Sequence, residues 1–273
     1  MNLRSTWTPP LALAAALLAP GSAWAAAAGA GAAAAADYVA VPAGRLVTVL
    51  SSGNAGNPPV KVGRFAMRKE PVTNREFRAF IASHPQWQRG AAPPIFVDAH
   101  YLRQYDRADV AAGLDQQPVT NVSWFAAQAY CESEQARLPT WYEWEYVAAS
   151  DAHRRDARQD PAWRARILAW YSQASNGSHG AIGGAPNFYG VRDMHGLIWE
   201  WVDDFNALLV SADSRDQGDP EKLQYCGAGA ISLQDRDNFA ILMRVALLSS
   251  LKGADSTNDL GFRCARSLTK EKR

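Results

Sequence analysis

Few segments of this chain keep a regular hydrophobic period over a long stretch. The segments between them are rich in glycine, asparagine and aspartate, which favour turns over helices and strands. Residues 172–190 and 203–224 are of this kind, and we predict loops there. Such a chain folds as an α+β domain with low regular secondary structure. Aromatic packing, a covalent cross-link or a bound ion must then hold it together.

The N-terminal segment is typical of export. Residues 1–25 combine Arg4, an apolar stretch at 11–20 and a small-x-small pattern at Ala23 and Ala25, as in a signal peptide. An alanine- and glycine-rich leader follows at 26–36, and we place one folded domain at 37–273. The charge-free run continues to residue 36, so an uncleaved membrane anchor is the alternative. We therefore expect a periplasmic or secreted protein in an oxidising compartment.

Composition excludes several classes of protein. The chain has 273 residues, of which 48% are hydrophobic, and this content excludes a disordered or collagen-like chain. The 28 basic residues nearly balance the 27 acidic ones, so nothing supports a nucleic-acid partner. No two of the five histidines lie four residues apart, and we predict no mononuclear iron site. The sequence leaves the identity of any redox metal open.

Four helix starts are marked by their first residues. Thr73 and Thr140 each precede a glutamate by three residues, which predicts a capping box at both positions. Ser123 is a predicted N-cap, and Pro161 is suited to the first turn of a helix that ends near Tyr171. The loosely alternating stretch 38–50 predicts an edge strand.

Five stretches in order resemble the formylglycine-generating enzyme family, also called the sulfatase-modifying-factor domain. They are EPVTN at 70–74, PVTNVSW at 118–124, RLPT and EWEY at 137–146, NFYGVRDMHG and WEW at 187–201, and NDLGFRCA at 258–265. The resemblance implies a C-type-lectin-like fold. The family includes copper-dependent oxidases that make formylglycine, iron-dependent sulfoxide synthases, pyoverdine-maturation proteins and relatives encoded near copper nitrite reductases. The fold is therefore a firmer expectation than the activity.

The cysteines argue against formylglycine synthesis. The family's copper site needs two thiolates, and counting back from Cys264 places them at Asp235 and Ala240. The resemblance also implies a disulfide between Cys131 and Cys264. Cys226 is then left alone, either as a small buried residue or as a reactive thiol beside a substrate site.

The segment 193–200 matches a calcium-binding stretch of the family. In that interpretation Asp193 and Glu200 supply carboxylate oxygens, and Gly196 and Ile198 supply backbone carbonyls. The alternative is that both acids cap helices or face solvent. We expect His195 to be a packing residue and not a metal ligand.

The stretch 226–250 is the candidate functional region, because it lines the substrate groove in the family. Asp235 or Asp237 would act as a general base, Arg244 would anchor an anionic group, and Ser249 would contact the substrate together with Cys226. A surface ion-pair cluster is the alternative. The tryptophans of the family motifs are predicted to be core residues, namely Trp124, Trp144, Trp199 and Trp201.

Two functions remain open. The first is an exported maturation factor or oxidase-like enzyme that acts on a partner protein or a cofactor precursor, without a two-cysteine copper centre. The second is a non-catalytic, calcium-stabilised module that assists a periplasmic metalloenzyme such as a copper nitrite reductase. A true formylglycine generator would have to recruit Cys226 into its site.

Overall fold

The computed structural model describes residues 37–48, 59–106, 113–171, 179–208 and 239–268. The predicted signal peptide and leader lie outside these ranges, as do Cys226, Asp235 and Asp237. None of the helices in these ranges is long and apolar enough to cross a bilayer.

The predicted edge strand is present but is broken in two. β1 (Tyr38–Val41) and β2 (Gly44–Leu46) are separated by Pro42 and Ala43. β1 forms a three-stranded antiparallel sheet with β4 (Phe65–Arg68) and β7 (Ala265–Ser267). The strand order is β1-β4-β7, so β1 is at an edge as predicted. β2 instead pairs with β3 (Val60–Val62) in a second antiparallel ribbon.

All four predicted helix starts are confirmed. The helices are α1 (Asn74–Ser83), α2 (Trp124–Ser133), α3 (Trp141–Ala148) and α4 (Pro161–Tyr171). Thr73 and Thr140 form full capping boxes, and the Ser123 hydroxyl accepts a hydrogen bond from the amide of Ala126. Each cap satisfies amides that the first turn leaves unpaired.

One helix was not predicted. α5 (Phe239–Ser249) lies at the end of the stretch 226–250, for which the sequence predicts a groove-lining role but no helix. Its sequence, FAILMRVALLS, is apolar almost all round, so it has no clear helical period to reveal it. Buried side chains of Ile241, Val245 and Leu248 attach it to the main core.

The main core is aromatic and cross-linked. Phe77 of α1 and Tyr130 of α2 pack against Phe262, with ring centroids 6.0 and 5.4 Å from it. The expected Cys131–Cys264 disulfide is present beside this cluster and ties α2 to the chain just before β7. The predicted core tryptophans Trp144 and Trp201 are fully buried, while Trp124 and Trp199 are half-buried against the same core.

A short pair of parallel strands places a buried carboxylate inside the domain. β5 (Trp199–Glu200) pairs with β6 (Leu260–Gly261), and Glu200 points inward. Arg263 donates to both Glu200 carboxylate oxygens at 2.7 Å, and both side chains are wholly buried. The paired charges satisfy each other, as a buried ion pair requires. With helices of at most 11 residues and strands of at most four in the described ranges, the predicted mixed and irregular architecture is confirmed.

Candidate functional site

Arg244 and Glu145 form a second buried ion pair, between α5 and α3. The Arg244 Nε donates to Glu145 Oε1 at 2.8 Å, and the two side chains are 3% and 5% exposed. The residues are 99 positions apart in sequence, so tertiary packing alone brings them together. In this pair the arginine charge is neutralised inside the protein.

Arg244 also stacks on tryptophan. Its guanidinium carbon lies 3.9 Å from the ring centroid of Trp144 and 5.5 Å from that of Trp141. A planar cation over an indole face is held by the negative charge of the ring face. These contacts fix the direction in which the remaining N–H groups point.

One of these N–H groups supports an aromatic surface. Arg244 Nη1 donates to the Tyr171 hydroxyl at 3.1 Å. The Tyr171 ring lies 4.7 Å from that of Trp170 and 4.8 Å from that of Trp199, and the two indoles are 5.6 Å apart. All three side chains are half-buried, and we call them the aromatic wall. Burial raises the pKa of Tyr171, so its phenol stays protonated at neutral pH.

The aromatic wall can bind a ligand by stacking. It presents three partly exposed π faces, of which that of Tyr171 is held by the buried guanidinium and those of Trp170 and Trp199 pack against Tyr171. A cavity between α4 and α5 is lined by both members of the ion pair, Glu145 and Arg244, and by Ala240.

Two of the predicted site residues, Arg244 and Ser249, bond to groups of the protein itself. Arg244 contacts the wall, but its guanidinium is committed to Glu145 and Tyr171 and is not presented as an open anion anchor. The Ser249 hydroxyl donates to the Val245 carbonyl of its own helix at 2.6 Å. The roles of Cys226, Asp235 and Asp237 remain predictions, since these residues lie outside the described ranges.

Sequence reasoning missed Glu145, Trp170 and Tyr171. Glu145 lay within a motif that we quoted, but no role was assigned to it. Its signal was an acid two residues beyond the capping Glu143, on a helix whose neighbouring positions are tryptophan and tyrosine. Trp170 and Tyr171 gave no signal beyond being aromatic residues at a helix end.

The acids of the predicted calcium set are already engaged. Glu200 Oε2 accepts from the Trp144 indole at 2.8 Å in addition to Arg263. The Asp193 carboxylate accepts from the amides of Gly183 and Gly184, each at 3.0 Å. In the described ranges no group of three or more His, Cys, Asp or Glu residues could hold a metal ion. This donor set fits calcium poorly, because Arg263 already neutralises Glu200. Calcium binding with Gly196 and Ile198 stays a prediction.

His195 packs between two tryptophans, as expected. Its ring meets those of Trp144 and Trp163 edge-on, at 5.8 and 5.6 Å. Its Nε2 lies 2.9 Å from the Ala148 carbonyl, so Nε2 carries the proton. Burial, reinforced by the charge of Arg244, lowers the pKa of His195 to about 3. The imidazole is therefore neutral and has the character of a packing group.

Known proteins of several activities are similar to this chain. A formylglycine-generating enzyme of Streptomyces coelicolor is 33% identical over 186 residues, which cover 61% of this chain and 58% of that protein. Hercynine oxygenase of Mycolicibacterium smegmatis is 29% identical over 52% of this chain and 38% of its own length. The inactive C-alpha-formylglycine-generating enzyme 2 of Mus musculus is 26% identical over 86% of this chain and 87% of its own length. The match thus spans little more than half of the Streptomyces enzyme and less of the oxygenase.

The solved structures and the family model concern the whole domain. PvdO from Pseudomonas aeruginosa aligns with 85% of this chain and 94% of its own, at a TM-score of 0.43 and 18% identity. The family model for the sulfatase-modifying factor enzyme 1-like domain matches residues 25–268. The match to this family model confirms the predicted formylglycine-generating-enzyme fold, and the chain belongs to the sulfatase-modifying factor enzyme 1-like family.

Proposed function

We propose that this protein is an exported maturation factor that binds a partner protein or a cofactor precursor at the aromatic wall and modifies it in an oxidase-like reaction. The observation that carries the proposal is the wall itself, held in place by the buried Arg244–Glu145 pair. The wall stands beside α5, which directly follows the segment that contains Asp235 and Asp237. A carboxylate delivered there would take a proton from a bound substrate.

The cysteines support a reaction other than formylglycine synthesis. Cys131 and Cys264 are bonded to each other, and Cys226 is the remaining one of the three cysteines in the sequence. One thiolate does not make the two-sulfur site that Cu(I) prefers. The similarity to hercynine oxygenase supports an oxygen-using reaction of another kind.

The second candidate is a non-catalytic binding module. It is favoured by the way in which Arg244 and Glu145 satisfy each other, which leaves neither free for chemistry. The similarity to the mouse protein named as inactive extends over 87% of that protein's length and supports the same alternative.

Two measurements on the purified full-length protein test the copper argument. We expect far less than one copper per chain by elemental analysis after loading with Cu(I). We also expect no aldehyde, by mass spectrometry, on a sulfatase peptide that contains the target cysteine. One tightly held copper per chain together with aldehyde formation would refute the proposal.

A deletion strain separates the enzyme from the binding module. Mass spectrometry of its exported proteins and their cofactors should reveal a modification that is lost on deletion and restored by the wild-type gene. For an enzyme, Asp235→Asn with Asp237→Asn should fail to restore the modification, while the exposed-residue control Glu132→Gln restores it. Full restoration by the double variant would favour the binding module.

The wall needs its own variants. Trp170→Ala should abolish restoration if the wall binds the substrate. Trp87→Ala is the matched control, because Trp87 is also half-buried but does not belong to the wall. Equal effects of both substitutions would argue against substrate binding at the wall.

A further inference from the structure

A polar pocket lies outside the aromatic wall and shares no residue with it. Its lining includes Gln104, Thr120, Asn121, His179 and Asn258, and we call it the amide pocket. Most small-molecule pockets are apolar with a few polar groups. A pocket lined mainly by amides, a histidine and a threonine is instead suited to a polar ligand.

The backbone at the base of the amide pocket is held in an unusual conformation. Asn121 and Leu102 both have φ near 50°, in the left-handed region. They are joined by a hydrogen bond of 2.7 Å from the Leu102 amide to the Asn121 carbonyl. The Asn121 amide in turn donates to the Thr257 carbonyl at 2.8 Å. Left-handed backbone is uncommon for leucine and tends to occur at functional sites. Here it fixes the place from which the Asn121 side chain projects.

Two residues that line this pocket each carry a buried side-chain carbonyl oxygen without a hydrogen-bond donor. Asn121 is only 4% exposed, and its Oδ1 is buried with no partner. Gln104 Oε1 is also buried and unpartnered. The orientation of the Gln104 amide is fixed, because its Nε2 donates to the Thr120 carbonyl at 2.9 Å. Native proteins rarely leave such acceptors unsatisfied, so two in one pocket indicate a missing donor.

The other polar groups of the pocket define the donor. His179 Nε2 lies 2.6 Å from the Asn258 carbonyl and therefore donates to it, which leaves Nδ1 as a further acceptor. Arg103 also lines the pocket, and the charge of Asp106 is neutralised by Arg89 at 2.5 Å. Asp106 is the only acid among the described residues that line the pocket, so a metal ion or an ammonium group finds no free carboxylate there. The side-chain oxygens instead suit a neutral N–H donor.

We propose that the amide pocket binds a carboxamide group, whose two N–H bonds are accepted by Gln104 Oε1 and Asn121 Oδ1. A primary carboxamide carries two donors on one nitrogen, which matches two acceptors in a single pocket. This site would operate whether the protein modifies its partner or only binds it.

A fragment titration tests the proposal on the full-length, ¹⁵N-labelled protein. Acetamide carries the two N–H donors, and N,N-dimethylacetamide carries none. Acetamide should shift the side-chain amide signals of Asn121 and Gln104 in a saturable manner. Dimethylacetamide should bind at least about tenfold more weakly, since it leaves both acceptors unpaired. Equal shifts with both probes, shifts that do not saturate, or the same shifts with calcium or ammonium chloride would overturn the proposal.

Three variants locate the binding. Asn121→Gly keeps the left-handed backbone accessible and removes one acceptor, and Gln104→Met removes the other at similar length. Each should weaken acetamide binding about tenfold. Gln88→Met is the control and should bind like the wild type, because Gln88 is an exposed glutamine outside the pocket. If Asn121→Gly fails to fold, the two probes and Gln104→Met still decide the matter. Unchanged binding by Gln104→Met would overturn the proposal.

The source of the carboxamide is decided by one more probe. N-acetylglutamine methylamide presents the same group on a peptide unit. Tighter binding of this compound than of acetamide supports a carboxamide carried by a polypeptide. Equal binding supports a free small molecule.

Discussion

Helices α2 and α4 are of nearly equal length but are anchored in very different ways. α2 buries Ala126, Ala127, Tyr130 and Cys131, and its disulfide fastens it to the main core. α4 buries only Trp163 and Ile167, in a small separate cluster with Ala157. Few buried apolar contacts mean a low free energy of local opening. Two residues of the aromatic wall, Trp170 and Tyr171, therefore lie on a weakly anchored helix, whereas the cross-linked core is rigid.

The largest effect is expected at the buried ion pair of the main core. Arg263→Met leaves Glu200 as an unpaired buried charge and should lower the free energy of unfolding by about 3–5 kcal/mol. Urea denaturation measures this loss. The exposed-residue control Arg75→Met should change the free energy of unfolding by less than about 0.5 kcal/mol. A loss for Arg263→Met as small as that of the control would contradict the assigned core.

Removing the disulfide should weaken the anchored helix selectively. Cys131→Ala with Cys264→Ala should lower the free energy of unfolding by about 2–4 kcal/mol. Hydrogen exchange should become faster in α2, while local opening of α4 should stay as it was. Equally faster hydrogen exchange in α2 and α4 would contradict the difference in anchoring between the two helices.

The N-caps of the two helices provide a smaller and sharper test. Ser123→Ala removes the cap of α2 and should lower global stability by about 1 kcal/mol. Asp160→Ala removes the carboxylate that accepts from the Ala162 amide in the first turn of α4. This second change should speed hydrogen exchange in α4 and leave global unfolding unchanged. A decrease in the free energy of global unfolding for Asp160→Ala would show that α4 unfolds together with the core.

The loop before α4 has an acid-resistant ion pair. Hydrogen bonds from the Arg154 side chain, assisted by the His153 amide, lower the pKa of Asp151 to about 2. Because its pKa is lowered, ionised Asp151 stabilises the fold at any pH above its ordinary pKa of 3.8. This contribution is lost only as the pH falls through about 2. Arg154→Gln should raise the pKa of Asp151 toward its ordinary value. Carboxyl NMR titration measures it, and an unchanged midpoint would disprove the pairing.

The smallest effect is expected from removing calcium. The cleft between α4 and the 193–196 loop is lined by Asp193, so a bound ion there would add a second anchor to α4. Because the acids of the predicted set are engaged by Arg263 and by backbone amides, we expect EDTA to leave the melting temperature unchanged. A clear rise in melting temperature on adding calcium would instead support the sequence-based prediction and remove the difference between the helices.

Local signals in the sequence were sufficient for the helix starts and insufficient for the site. Thr73, Ser123 and Thr140 could be recognised because an N-cap depends only on residues within one turn. The break between β1 and β2 lies at Pro42, which lacks the amide that a continuous strand would need. α5 escaped because a helix that is apolar on nearly all sides lacks an amphipathic period.

The pairing of buried charges could not be predicted in the same way. Glu200 and Arg263 are 63 residues apart, and Glu145 and Arg244 are 99 apart. Nothing in the local sequence specifies which arginine meets which acid. That choice is made by the packing of several elements at once, so Arg244 was interpreted as a substrate anchor when its main contact is internal.

Adjacent residues of α3 join the two buried ion pairs. Trp144 donates from its indole to Glu200, while Glu145 accepts from Arg244. A shift of α3 along its axis by one residue, about 1.5 Å, would strain both bonds at once. The helix therefore couples the central Glu200–Arg263 pair to the Arg244–Glu145 pair that supports the aromatic wall, and a substitution that moves α3 would disturb both pairs together.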